Sequence, residues 1–335
     1  MYGVLGITNY ILDPANIFLK RKVLDSVIKG FERGLCVTNV YNLDDRTLKK
    51  RLVQLHKDGK FDYLILGSSR SMLLSEESFD GKTVLNLSVS NCQIEDLVAL
   101  IQICKEQNIS YNRVIFLAEP ALLNINNKDS RWRSIADFYY KRKNANLWSK
   151  FRNRLESSLI VKLFSLSYFR SSIDFLLKKN KHINNLKYST TYINEGFTYR
   201  PDGSIYYDKK YRERSQKKID EEAMSYNHQQ FDNFDKVSIE RKEEIRQIIS
   251  ELNSVGGEVY LMFVPYHPIF YDRLQKETKI SEAKESLEGL AEECGVKEFG
   301  SYIPDSLDMN GNDFYDAMHL RKEIVDKLIK KNICK

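Results

Sequence analysis

No stretch of this 335-residue chain approaches the roughly 20 consecutive apolar residues that a helix needs to span a bilayer. Its five cysteines, Cys36, Cys92, Cys104, Cys294 and Cys334, form no CxxC pair and carry no Cys/His ligand spacing. Neither a zinc site nor a disulfide framework is therefore supported, and the cysteines read as mostly buried small hydrophobes. Internal repeats and low-complexity tracts are also missing.

What remains is a chain of 42% hydrophobic and 29% charged residues, the balance of a folded, water-soluble protein long enough for one large domain or two ordinary ones. The net charge of +6 is unevenly placed: residues 131–218 hold 21 Lys/Arg against 7 Asp/Glu. Such a block suits either an anionic partner, such as phospholipid headgroups or an acidic polymer, or a plainly solvated helical face. No recognised nucleic-acid module accompanies it, so nucleic acid is not expected as a partner. The N-terminus, MYGVLGITNYIL, is apolar for about a dozen residues before Asp13-Pro14. Taken alone it reads as a short buried segment; the other reading is the tail of a membrane helix.

Four apolar runs, Tyr63 to Leu66, Thr83 to Leu87, Arg113 to Ala118 and Glu258 to Val264, have the character of strands buried on both faces, and Val296 to Phe299 is a weaker fifth. Helical patterns cover Ile94 to Gln107, Glu240 to Leu252, Ile280 to Glu293 and Leu320 to Lys331, and residues 20–58 read as a helical lead-in with Asp44 or Asp45 capping Arg46 to Leu55. Alternating strands and helices predict a three-layer α/β/α sandwich on a mainly parallel sheet of about five strands. The interval between the third and fourth runs exceeds any simple crossover. It predicts a mostly helical insertion at about 125–235, carrying a hairpin at Pro201-Asp202-Gly203, within a single domain spanning 21–335.

Ligands of open α/β sheets bind at the carboxyl ends of the strands. There the sequence places Gly67-Ser68-Ser69-Arg70, Ser88-Val89-Ser90-Asn91, Glu119-Pro120 and Pro265-Tyr266-His267-Pro268, and near the C-terminus Asp316 and His319 stand three apart before a helix. A serine becomes a nucleophile when a base takes its proton and a carboxylate orients the base. Ser69, His319 and Asp316 can supply those parts; an Asp before a helix is also a common N-cap. Arg70 can grip a substrate carboxylate or phosphate, or pair with Glu119. His267 can touch substrate or serve the rim structurally. Trp132 and Trp148 can stack on sugar rings or belong to the core.

G-S-S-R after one strand, N-L-S-V-S-N after the next and F-Y-D-A-M-H-L near the end resemble the first, second and last blocks of the SGNH (GDSL-like) hydrolase superfamily. The closer resemblance is to its membrane-anchored cell-envelope members, such as the D-alanyl transfer protein DltD and relatives of the alginate O-acetylation proteins. Their N-Y-x-x-D-P is similar to Asn9-Tyr10-Ile11-Leu12-Asp13-Pro14, and the P-Y-H-P and R-P-D-G-S segments look typical of them. The resemblance implies Ser69 as nucleophile, His319 as base, Asp316 as acid and the Ser69 N–H as one oxyanion donor, with no cofactor and no metal. It departs at two points: the second-block glycine is Asn91, and the third-block G-x-N-D is replaced by Ala118-Glu119-Pro120, with Asn124 farther along. Ser90, Asn91 or Arg70 is then expected to fill the oxyanion hole. The implied activity is a serine-dependent esterase or O-acyltransferase acting on a cell-envelope polysaccharide. Its partners would be an acylated glycan or acyl donor and an anionic membrane surface or membrane-bound acyltransferase, in an extracytoplasmic location with an N-terminal anchor. The other reading is a non-catalytic accessory protein of an envelope-polysaccharide complex.

Overall fold

The computed structural model describes residues 2–12, 20–40, 43–143, 164, 169–170, 172–173, 186–193 and 196–334. Nine strands lie among them: β1 (Cys36–Thr38), β2 (Lys60–Leu66), β3 (Val84–Asn86), β4 (Ser110–Leu117), β5 (Lys187–Ser189), β6 (Thr198–Tyr199), β7 (Ile205–Tyr206), β8 (Glu258–Phe263) and β9 (Lys297–Gly300). Five of them form a sheet in the order β3-β2-β4-β8-β9, and every pairing in it is parallel.

The two-residue period of a strand decides which core each side chain joins. Leu64, Leu66, Val114, Phe116, Leu261 and Phe263 point to the larger core, where they meet Leu97 and Leu100, Ile245 and Ile249, and Leu287 and Leu290 from helices Ile94–Glu106, Ile239–Ser254 and Ile280–Cys294. Tyr63, Ile65, Ile115, Leu117, Tyr260 and Met262 point the other way, onto Phe79 and onto Val325, Leu328 and Ile329 of the C-terminal helix Lys322–Asn332. A sheet covered on both faces explains why its central strands read as continuous apolar runs.

A second sheet, antiparallel and ordered β5-β1-β6-β7, contains the expected hairpin at Pro201-Asp202-Gly203 as β6–β7; its β1 and β5 strands were not visible in the sequence. The expected helical lead-in over 20–58 is real as helices Lys20–Glu32 and Asp45–Leu55, but β1 interrupts it. Three residues whose partners come from positions 187–199 leave no local periodicity to detect.

The R-P-D-G-S turn joins β6 to β7 and plugs into the edge of the main sheet. Asn86 N donates to Asp202 O at 2.8 Å, and Ile205 N to Met72 O at 3.0 Å. The buried Lys49 ammonium sits between the two sheets, donating to Asn86 O at 2.8 Å and to Gly203 O. Gly203 has φ 86, and a Cβ on it would lie 2.3 Å from Asn86 O, so both conformation and space require glycine. Because Asn86 ends β3, this turn buttresses the loop that runs on to Ser90 and Asn91.

The aromatic-rich stretch from Ala145 to Leu177, Trp148 included, lies almost wholly outside the described residues, as does Asp13-Pro14. Trp132 packs against Tyr139 and Tyr140, with ring centroids 5.2 and 6.0 Å away. Tyr2–Leu12 is a helix that buries Leu5 and exposes Val4, Ile7 and Ile11; among the described residues no helix is long and apolar enough to cross a membrane. Cys36, Cys92 and Cys104 are buried, Cys294 and Cys334 half-buried, and all five are free thiols.

Candidate active site

Where β2 ends, Gly67 (φ 155) lets the chain turn against β4: a Cβ there would lie 2.6 Å from Leu117 Cβ and 2.7 Å from Ser71 Oγ. The turn Ser69–Ser71 follows at once, with the Ser68 side chain accepting from Arg70 N. Ser69 is thereby lifted, partly exposed, between two buried neighbours.

Ser69 Oγ lies 2.8 Å from His319 Nε2, and His319 Nδ1 lies 2.9 and 3.0 Å from the two Asp316 oxygens. A ring whose Nδ1 faces a carboxylate carries its proton there, leaving Nε2 free to accept from the serine. Asp316 Oδ1 also accepts the Met318 and His319 amides, both at 2.7 Å. The residue thus caps its own turn rather than the helix, which begins at Lys322. Burial pushes the Asp316 carboxyl up, but the adjacent imidazole and the hydrogen bonds from His319, Tyr211 and Met318 outweigh it, holding the group far below the usual carboxylate range. It is a permanent anion at neutral pH.

Behind the serine, Glu119 gathers three donors from two segments: Ser68 Oγ at 2.6 Å and Arg70 Nη1 at 2.9 Å from the turn after β2, and Tyr266 OH at 2.8 Å from the chain after β8. Arg70 spends its other donors on Met318 O at 3.0 Å, Val264 O at 2.6 Å and Pro265 O, and its guanidinium lies 3.8 Å from the centre of the Tyr266 ring. Burial opposes its charge, and Glu119 more than restores it. Arg70 therefore ties the carboxyl ends of β2, β4 and β8 to the residue just before His319.

These contacts decide between the readings open for Arg70 and His267, and they remove Glu119 and Ser90 from the expected oxyanion or substrate groups. Arg70 and Glu119 are 2% and 3% exposed and mutually paired, so neither is free to grip a substrate or an oxyanion. Ser90 is likewise engaged, its N–H and hydroxyl both directed to Asp45 Oδ2. His267 is buried, with Nε2 3.2 Å from Asp220 Oδ1 and its backbone N–H donating to Ala317 O at 3.1 Å, against the histidine loop. Asn91 adopts φ 46, the left-handed region where a glycine is at ease. Among the described residues neither its N–H nor that of Ser69 has an acceptor. Asn124 is consumed in holding a loop, donating to Gln230 O at 2.9 Å and Asp232 O at 3.1 Å.

Sequence reasoning missed Tyr211, whose hydroxyl donates to Asp316 Oδ2. It follows the β6–β7 hairpin and reaches the site together with Tyr207, whose ring centroid lies 6.0 Å from that of His319. The only signal was the tyrosine clustering in SIYYDKKY, which carries no directional information. Tyr266 was noticed only as part of P-Y-H-P, and His228 not at all.

The fold and the rim together define the class: an α/β protein that presents a serine, a histidine and an aspartate in hydrogen-bonded series at the carboxyl end of a parallel sheet. The chain belongs to the DUF1574 family, described as proteins of unknown function, whose family model matches residues 18–331. Comparison with curated proteins gave no match.

Proposed function

We propose that this protein is a serine-dependent esterase or O-acyltransferase of the SGNH type, acting on a cell-envelope polysaccharide through an acyl-Ser69 intermediate. The observation that carries the reading is the series Ser69 Oγ to His319 Nε2 at 2.8 Å and His319 Nδ1 to Asp316 Oδ2 at 2.9 Å, formed by residues 250 and three positions apart. Its motif order and its place at the rim of a parallel sheet support the SGNH assignment.

In the first half-reaction Ser69 Oγ attacks the acyl carbonyl carbon while its proton passes to His319 Nε2, and Asp316 stabilises the imidazolium. The carbonyl oxygen takes up negative charge, which the free N–H groups of Ser69 and Asn91 are available to meet. Collapse breaks the bond to the leaving alkoxide, which receives the proton from His319. In the second half, a water or an acceptor hydroxyl gives its proton to His319 and attacks the acyl carbon, and the bond to Ser69 Oγ breaks as that oxygen takes the proton back from His319. Arg70, Glu119 and Tyr266 position the serine and histidine loops and touch no reacting atom.

The glycan acceptor, an N-terminal anchor and an extracytoplasmic location rest on the resemblance. The exposed apolar side of Tyr2–Leu12 and the basic block at 131–218, read as a mostly helical insertion near anionic headgroups or a membrane-bound acyltransferase, favour them. The accessory reading draws on the replaced third block, where Glu119 stands in a structural network instead of an oxyanion donor. Hydrolysis of p-nitrophenyl acetate by wild type and Ser69→Ala tests the enzyme directly. Restoration of the surface polymer by Ser69→Ala in cells would exclude chemistry at this residue.

A further inference from the structure

The chain lacks the third-block asparagine, and the residues beside that position are occupied: Glu119 by Ser68, Arg70 and Tyr266, Asn124 by two carbonyls. Those two carbonyls, however, belong to the loop that follows His228. Asn126 Nδ2 adds a bond to Asn233 O at 2.9 Å, and Ser238 N closes the segment on Leu123 O at 3.0 Å. The chain leaving β4 thus spends its asparagines on holding a second loop against the rim.

His228 stands at the head of that loop. Its Nδ1 accepts from Gln230 N at 3.3 Å, which fixes the neutral ring in the Nε2–H tautomer. Among the described residues the hydrogen bond found for the ring is this one at Nδ1, and none is made by Nε2. The ring lines an open pocket of about 410 Å³ together with Asn91 and Asp129. In the same lining Asn91 Nδ2 donates to Asp129 Oδ2 at 2.8 Å, which holds the left-handed turn whose N–H is unspent. We infer that His228 replaces the absent asparagine, its Nε2–H acting with the Ser69 and Asn91 amides as the side-chain donor to the oxyanion.

Two physical points favour a histidine in this role. Burial, and then the neighbouring His319, hold the His228 ring below its ordinary value, so it stays neutral at pH 7 and keeps the Nε2–H donor without competing for the serine proton. A neutral imidazole N–H is also as directional a donor as the amide it replaces.

The inference rests on the serine-enzyme reading, and one set of variants separates their failures. The rate at which a fluorophosphonate labels Ser69 reports the oxyanion hole directly, because the phosphonyl oxygen occupies it and no acceptor is needed. His228→Ala should slow labelling and kcat for p-nitrophenyl acetate by about 10²- to 10³-fold, the usual loss for one donor, with KM and the melting temperature little changed. His228→Asn, which returns an amide donor, should recover much of that loss. A His228→Ala variant that labels within about twofold of wild type would overturn the donor role while leaving the enzyme reading intact. Equal losses in the Ala and Asn variants would also overturn it, pointing to loop packing. A wild-type protein with no Ser69-dependent labelling would remove the enzyme reading and this inference with it.

Discussion

Replacing Arg70 by methionine is the severest single test of how the rim is held together. The change keeps an unbranched side chain of similar reach but deletes the donors to Glu119 Oε2, Met318 O, Val264 O and Pro265 O, in a site 2% exposed. Breaking a buried ion pair from one side typically costs about 3–5 kcal/mol, because the surviving charge stays in low dielectric without its partner. Three buried carbonyls losing their donor add to this without simple additivity. Against a total stability of about 5–15 kcal/mol the variant should be severely weakened, with its urea midpoint well below wild type. Because Arg70 Nε holds Met318 O, next to the base, Ser69 labelling should slow as well. Pairing the change with Glu119→Gln removes the stranded charge, so the double variant should be more stable than Arg70→Met alone. The reasoning is refuted by an Arg70→Met cost below about 1 kcal/mol, or by a double variant no more stable than the single.

Two further outcomes follow from groups around the same site. In Tyr211→Phe the aromatic packing survives but Asp316 loses one donor, leaving more of its charge for the imidazolium. The acid limb of kcat/KM for p-nitrophenyl acetate should therefore move to higher pH, by no more than about one unit, or ~1.4 kcal/mol, and a limb that stays put or moves down would contradict the role. Burial lowers the Lys49 ammonium to about 8, partly offset by Asp45 and Asp202. An unfolded lysine titrates near ~10.4, so between these values the unfolded chain holds the extra proton and this group's contribution to stability rises with pH. Urea unfolding at steps from about pH 7.5 to 10 should show that rise in wild type and not in Lys49→Met; parallel curves would contradict it.

How far the sequence announced this structure depends on the range of the interactions. The inner parts of two strands, Tyr63 to Leu66 and Val114 to Ala118, were legible because a strand buried on both faces must be apolar at every position, a purely local pattern. Ser69, Asp316 and His319 could be named because each sits in a short motif; nothing in the motifs required Ser69 Oγ and His319 Nε2 to meet across 250 residues. The Arg70–Glu119 pair was one of two readings, and burial decides between them. The long-range pieces were hidden: β1, paired only with distant short strands, and Tyr211 and His228, ordinary in their own surroundings and informative only through what they face.

The central claim is that Ser69 is a nucleophile activated by His319. The most direct measurement is to treat the 335-residue chain with a fluorophosphonate and locate the adduct by mass spectrometry of its peptides, alongside Ser69→Ala and His319→Ala. A single adduct on the Ser69 peptide, absent from the first variant and strongly slowed in the second, is the predicted result. Wild type left unlabelled, or labelling that persists in Ser69→Ala, would contradict the account.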